Sequence, residues 1–310
     1  MRPGPALFVP LLLLLWLLQA GVSHAQISAT LRFAHETYLA GEPVLATLTV
    51  SNQAGRDITL KGGVTEENWC LIQLNAMRGE APAHRTNTPV VPPLFIPSGE
   101  TVSRSIPLHE FFELPGSGQY RAKVSISYGP TRAQFVTPTA FFNVDPGHRL
   151  WSTSVGVPDG QQNEGTPRMF SVLSLQRREG MFLYAKLENQ RDGFYYPPYF
   201  LGRMLAAVAP QMQTDRENNL YVLHAASDDT YILSQVDVAT GRSGQAVYRS
   251  RTPRAGRPSM FRQPDGKLAI SGGVRVSDEE LIGSANGSGN GNPERAKISS
   301  RPEGFKQLRN

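Results

Sequence analysis

The sequence predicts an all-β chain of two antiparallel modules, and three observations predict it. Apolar and polar residues alternate over several short stretches, most clearly from Tyr120 to Tyr128, with the period of two that a strand buried on one face requires. Clusters of Gly, Pro and Asn separate those stretches, as turns separate strands. A Pro-x-Met triplet then recurs 48 residues apart, at Pro210-Gln211-Met212 and Pro258-Ser259-Met260, each followed eight residues after its Met by an apolar run.

Before the first strand comes a leader. Arg2 is followed by an apolar block from Ala6 to Leu18 with five consecutive leucines, and then by Ser23-His24-Ala25. Charged, apolar and small residues in that order predict a secretory signal peptide over 1–25, cleaved after Ala25. The alternative is a retained anchor, but the block is shorter than the roughly 20 apolar residues a membrane span needs. No cysteine stands at the cleavage point to accept a lipid, so the mature chain is expected to be secreted or periplasmic, with no transmembrane segment. The single cysteine, Cys70, excludes an internal disulfide. Flanked by Trp69, Leu71 and Ile72, it is expected to be a buried structural thiol rather than a nucleophile. Export without a disulfide points toward a bacterial source.

From residue 26 to 146 the pattern predicts a sandwich. Val44, Ala46, Leu48 and Val50 alternate with Leu45, Thr47, Thr49 and Ser51, Asn52 to Gly55 supplies a turn, and Asp57 to Leu60 begins the next strand. Tyr120, Ala122, Val124, Ile126 and Tyr128 share one face of a strand, with Arg121, Lys123, Ser125 and Ser127 on the other, as in a half-exposed antiparallel sheet. Further strands are expected at Ala29–Phe33, Trp69–Leu74, Thr101–Leu108 and Phe135–Val144. About seven short strands in such a length is the count of an immunoglobulin-like sandwich.

Particular residues add a resemblance. Tyr38-Leu39-Ala40-Gly41-Glu42-Pro43-Val44 resembles the opening of many bacterial immunoglobulin-like modules, and Pro97-Ser98-Gly99-Glu100 with Leu114-Pro115-Gly116-Ser117-Gly118-Gln119-Tyr120 resembles their later half. The resemblance implies a structural role for Tyr120, bonding its hydroxyl to upstream backbone at a corner. It implies no site residue and no activity.

Residues 147–282 predict a second β module of blade-like hairpin repeats. Glu217-Asn218-Asn219 and Asp265-Gly266-Lys267 precede the apolar runs Leu220-Tyr221-Val222 and Leu268-Ala269-Ile270 in the two copies. A third triplet, Pro167-Arg168-Met169, precedes Met181–Leu187 at a longer gap. Tyr231–Val238 reads as a strand, and Asp237-Val238-Ala239-Thr240-Gly241 resembles the turns that close propeller-blade hairpins. A 48-residue spacing falls in the propeller range. The module is nevertheless too short for the four or more blades of a closed ring, so an open stack is expected. From Ser284 onward Gly, Asn, Ser and charge dominate, and 283–310 is expected to be a disordered tail.

Charge is local. The chain's net charge is +5, and loss of Arg2 with the leader leaves +4. Arg242, Arg249, Arg251, Arg254, Arg257 and Arg262 fall in one stretch without an Asp or Glu among them. That stretch is either a solvated loop or a surface for an anion. Nucleic acid is not expected as a partner, because aromatic interleaving and known binding motifs are missing. His35, His84, His109, His148 and His224 are scattered, with no two-ligand spacing, so no metal is expected. Gly-x-Ser-x-Gly, phosphate-loop and dinucleotide motifs are also missing, and no cofactor is expected. Asp228-Asp229 and Asp215 are candidates for the acid and base carboxylates that a glycosidase pairs, but Asp228-Asp229-Thr230 lies between two apolar strands, where turn residues are expected for backbone reasons.

The run Phe194-Tyr195-Tyr196-Pro197-Pro198-Tyr199-Phe200 is either a stiff amphipathic binding patch or a lid on the second module's core. The candidate binding residues are therefore Tyr195, Tyr196 and Tyr199 together with Arg249, Arg251, Arg254 and Arg257. The expected function is a non-catalytic binding or adaptor protein of the bacterial cell envelope, its partner an envelope protein or polysaccharide. The alternative is an enzyme acting on an extracellular polymer, with carboxylates assembled from distant positions.

Overall fold

A computed structural model describes residues 27–61, 69–78, 81–85, 91–114, 117–128, 133–193, 196–250 and 256–277. The leader, the tail, Tyr195, Arg251 and Arg254 lie outside the described residues. The chain is all-β: its strands form several antiparallel sheets, with no closed barrel or propeller among the described residues. No helix among the described residues is long and apolar enough to cross a membrane. Two compact units account for the contacts, Met1–Glu36 with Pro43–Asn143, and Thr37–Glu42 with Val144–Asn310.

The first unit is layered as a β-sandwich in the general sense. Its elements begin with β1 (Ile27–Phe33), then after β2 (Thr37–Leu39) of the other unit come β3 (Leu45–Asn52), β4 (Ile58–Leu60), β5 (Cys70–Ala76), β6 (Leu94–Ile96) and β7 (Thr101–Pro107). A single helical turn, α1 (Leu108–Phe111), leads to β8 (Gly118–Tyr128), β9 (Ala133–Val136) and β10 (Ala140–Asp145). One sheet runs β1-β3-β7, a second runs β10-β8-β5 with β9 also on β8, and β4 pairs β6. Rings join the two larger sheets: Phe142 of β10 lies 4.5 Å from Phe33 of β1 and 5.1 Å from Tyr120 of β8.

Strand β8 follows the predicted alternation. Tyr120, Ala122, Val124 and Ile126 are buried, while Arg121 and Lys123 are exposed. Cys70, paired with Ile126 in β5, is buried, and loss of hydration around its thiolate pushes its thiol up to about 12. Asn52 explains the first turn. Its buried amide donates to the carbonyls of Arg56, Ile96 and Pro97 at 2.8, 3.0 and 3.1 Å and accepts from Ala54 N–H, so one side chain satisfies backbone that no ladder reaches.

The expected strand Phe135–Val144 is instead two, β9 and β10. Pro138 has no N–H for a ladder. Beside it, buried Thr137 turns its hydroxyl inward to accept from Val124 N–H at 3.0 Å.

The second unit stacks its sheets face to face. β11 (His148–Gly156), β12 (Pro167–Arg177), β13 (Gly180–Asn189) and β14 (Tyr199–Met204) form one meander in chain order. β15 (Gln211–Thr214), β16 (Leu220–Ala225), β17 (Thr230–Val236) and β18 (Ser243–Arg249) form the next, extended by β21 (Val274–Arg275). β19 (Ser259–Arg262) and β20 (Leu268–Ser271) make a hairpin. Phe170, Val172, Leu183, Ala185 and Leu187 of the first meander share a core with Leu220, Val222 and Val236 of the second. On its other face the second meander packs Leu223, Ala225 and Tyr231 against Met260 of the hairpin.

The 48-residue repeat is a repeat of register. Gln211, Met212, Gln213 and Thr214 pair with Leu223, Val222, Tyr221 and Leu220, and the residues 48 further on pair in the same way, Ser259 with Ser271 through Arg262 with Leu268. The turns match too. Asp215 N–H meets Asn219 O as Gln263 N–H meets Lys267 O, and the left-handed residue of each is Asn218 and Gly266. Pro167-Arg168-Met169 does not share this register, because it opens β12, which pairs along its whole length with β13.

Segment 37–42 belongs to the second unit through specific contacts. Leu39 joins Leu173, Leu175 and Tyr184 in an apolar cluster. The Glu42 carboxylate takes both oxygens to Arg177 Nη2, at 2.7 and 2.9 Å, and also accepts from Leu39 N–H and Tyr184 Oη. Arg177 Nε donates to Thr37 O at 2.9 Å. The pair is nearly dry, with side chains 4% and 14% exposed. Burial, followed by the negative charge of Glu42, holds the Tyr184 phenol protonated well above its ordinary range. Gly147 closes the approach: with φ at +74°, a side-chain carbon there would meet Leu39 at 2.6 Å.

Candidate functional site

The aromatic run is split by the strand it enters. Tyr199 and Phe200 begin β14, whereas Tyr196 precedes it and is held by a hydrogen bond from its N–H to Leu187 O at 3.1 Å. Tyr196 and Tyr199 are half-buried against the core between the two meanders. Alternation along β14 puts Phe200 on the opposite face, where it contacts the rings of Phe182 and Tyr184 at 5.8 and 5.4 Å yet remains 51% exposed. Pro197 is exposed as well. The described part of the run, from Tyr196 to Phe200, is therefore lid and surface at once, with two tyrosines fixing a proline and a phenylalanine that face solvent.

Beneath Tyr196 lies a residue that the sequence reading passed over. Arg168, 2% exposed, donates Nη1 to Val238 O and, at 2.9 Å, to Ala239 O, and its guanidinium sits 5.4 Å from the Tyr196 ring centre. No hydrogen bond reaches its buried Nε. The guanidinium thus organises the turn after β17 and presents no charge to solvent. Its signal in the sequence was a lone cation at the head of the apolar run Phe170–Leu175.

That turn holds itself together. Asp237 Oδ1 accepts from Ala239 N–H, Thr240 N–H and Thr240 Oγ1. Gly241, at φ +67°, ends it against the tyrosines, where a side-chain carbon would lie 3.0 Å from the Tyr196 ring. Burial, then the neighbouring Tyr196, keeps the Tyr199 phenol protonated far above its usual range, with Arg168 opposing.

The arginines gather elsewhere. The backbones of Arg249 and Arg257 both pass the Gly272-Gly273 turn at the far end of β18, where Arg249 pairs with Val274. Both are exposed, as is Arg275. Gly241 and Arg249 bracket β18, so this corner is about 20 Å from the tyrosines. One ligand monomer does not bridge them.

The acidic candidates are engaged by their own turns. Asp215 accepts from Glu217 N–H, Asn219 N–H and the Asn219 amide. Asp229 accepts from the Ser227 and Thr230 hydroxyls, which hold its carboxyl below the ordinary range. Among the described residues no group of three or more His, Cys, Asp or Glu is arranged to hold a metal ion.

One titratable group is buried in the core itself. His224 of β16 is 1% exposed, and neither ring nitrogen has a hydrogen-bond partner. Gly202, at φ +122°, stands beside it: a side-chain carbon there would make ordinary contact with Nε2 at 3.5 Å and press on Ile232 at 3.1 Å. Burial lowers the imidazole to about 4, with the Arg203 backbone, which stands outside hydrogen-bond geometry, opposing it.

Comparison with known proteins adds little. No protein-family model matches the chain, and no curated protein matches it. A solved structure, the sporulation control protein Spo0M from Bacillus subtilis, is 11% identical, covering 85% of this chain and 95% of that one, with a TM-score of 0.27. Likeness at that level assigns neither fold nor function. Fold and surface together define an all-β protein of two compact units, with exposed apolar and cationic groups at separate places on the second.

Proposed function

We propose that the protein is an exported, non-catalytic binding or adaptor protein of the bacterial cell envelope. On this reading the first unit is an immunoglobulin-like spacer or docking module, and the second is a blade-like open stack that meets an envelope protein or polysaccharide. The leader pattern of Arg2, the leucine run and Ser23-His24-Ala25 supports export to the periplasm or beyond. The in-register 48-residue repeat supports the blade-like reading.

The observation that carries the binding reading is Phe200. It is a large apolar side chain, 51% exposed, on a strand whose neighbouring Tyr199 is anchored in the core. A contact surface fixed in advance loses little conformational entropy on binding.

The test is cosedimentation of the mature protein with isolated envelopes of its source organism, at low and high salt. Phe200→Ser is expected to lower the binding that survives high salt, because apolar contacts are not screened. Binding lost in high salt and in Arg249→Ala/Arg257→Ala would move the contact to the arginine corner. No sedimentation at either salt would end the proposal.

A further inference from the structure

The outward face of the sheet β10-β8-β5 in the first unit has its own chemistry. Gln73 and Asn75 of β5 stand opposite Lys123 and Arg121 of β8, and Thr139 and Phe141 border them from the side of β10. These six residues line a shallow, open depression. Phe141 is 60% exposed, and the two cations point to solvent from a strand whose inward residues form the core. The contrast with buried Glu42–Arg177 is direct: among the described residues no carboxylate pairs with Arg121 or Lys123.

We infer that this face binds a carboxylated polysaccharide, a chain of uronate sugars. Arg121 supplies the planar fork that matches a carboxylate in bidentate fashion, and Lys123, two residues on, supplies a second cation on the same face. The Gln73 and Asn75 amides each carry a donor and an acceptor, which is what sugar hydroxyls need. Phe141 offers an apolar ring to the face of a pyranose that carries only C–H groups. The depression is open along the sheet rather than closed, so it suits a segment of polymer better than a free monosaccharide. Neighbouring strands lie about 4.8 Å apart, so the three strands present these groups across about 10 Å, the span of a short saccharide segment.

The inference does not rest on Phe200 or on the envelope reading, because all of its residues lie in the other unit. Its experiment uses the full mature chain with polygalacturonate, dextran and poly-glutamate as probes, followed by calorimetric titration at low salt. Polygalacturonate is expected to bind, dextran not. Arg121→Ala/Lys123→Ala is expected to weaken binding about tenfold or more, and Phe141→Ala several-fold, in keeping with the modest worth of one aromatic contact. All three side chains are exposed, so the variants are expected to unfold at the parental temperature. Arg104→Ala, an exposed cation of β7 in the other sheet, is expected to bind as the parent does. Equal binding of poly-glutamate, with no effect of Phe141→Ala, would reduce the face to a nonspecific cationic patch and overturn the inference. Parental affinity in the folded Arg121→Ala/Lys123→Ala variant would also overturn it. Envelope sedimentation that persists while polygalacturonate fails to bind would leave the Phe200 reading standing and remove only this one.

Discussion

Strands β8 and β12 have the same length and opposite surroundings. β8 of the first unit is wet on one side: Arg121 and Lys123 alternate with Ala122 and Val124, and every second residue meets water. β12 of the second unit is dry on both sides from Phe170 to Leu175, with Phe170 and Val172 in one core and Leu173 and Leu175 in another. The difference teaches where polar groups can stand. On β8 a cation is free to meet a ligand. On β12 it must find a partner inside the protein, as Arg177 does in Glu42 and Arg168 does in two backbone carbonyls.

The contrast is broken most severely at Glu42. Glu42→Ala leaves Arg177 buried without its carboxylate, and chemical denaturation of the second unit is expected to show a loss of about 3–5 kcal/mol. Glu42→Leu with Arg177→Met removes both charges and is expected to recover only part of that loss, because Leu39 N–H, Tyr184 Oη and Thr37 O lose their partners. A loss under about 1 kcal/mol for Glu42→Ala would mean that the pair is hydrated in solution.

His224 is the next largest effect, and it depends on pH. Its folded value, about 4, lies below the ordinary 6.5, so the unfolded chain takes up the proton first as pH falls. Stability is therefore full above about pH 6.5 and declines between about 6.5 and 4, by roughly 3 kcal/mol in all. Denaturation of the second unit across that window measures the slope. His224→Leu is expected to flatten it and to cost little near neutral pH, because it also removes two unpaired buried nitrogens. An unchanged slope would assign the acid sensitivity to other groups.

Smaller changes sharpen the comparison at its edges. Gly241→Ala forces a side chain into a left-handed position and against Tyr196, with an expected cost of about 1–2 kcal/mol in thermal unfolding. Arg121→Thr on the wet face of β8 is expected to change stability by no more than about 0.5 kcal/mol. A cost above 1 kcal/mol there would mean that Arg121 has an intramolecular role on that face.

The same contrast explains what was legible in the sequence. Where one face is solvated, residue polarity records the strand, so β3, β5, β7 and β8 were readable nearly to their ends. β12 lacks that record, because Ser171 and Ser174 are buried with their apolar neighbours, and β11, β14 and β18 went unremarked as strands. The repeat was legible through Met212 and Met260 because both open first strands in equivalent registers. The tyrosine run was legible as unusual, but not how it divides, since that depends on Leu187 and Gly241, which are distant in sequence. Arg168 was hidden because its partners are carbonyl oxygens, which leave no trace in residue type. The Gln73–Lys123 face needed the β5–β8 register, which pairs residues that the sequence separates by a long connection.

The two copies of the repeat are also tied to each other. Gln211 reaches from its own hairpin to the next, its side-chain oxygen accepting from Met260 N–H at 2.8 Å. The residue one repeat later is Ser259, whose short side chain reaches back to the same Gln211 oxygen. One carboxamide oxygen thus fastens a hairpin to its neighbour 48 residues on, so shortening Gln211 would loosen two hairpins at once.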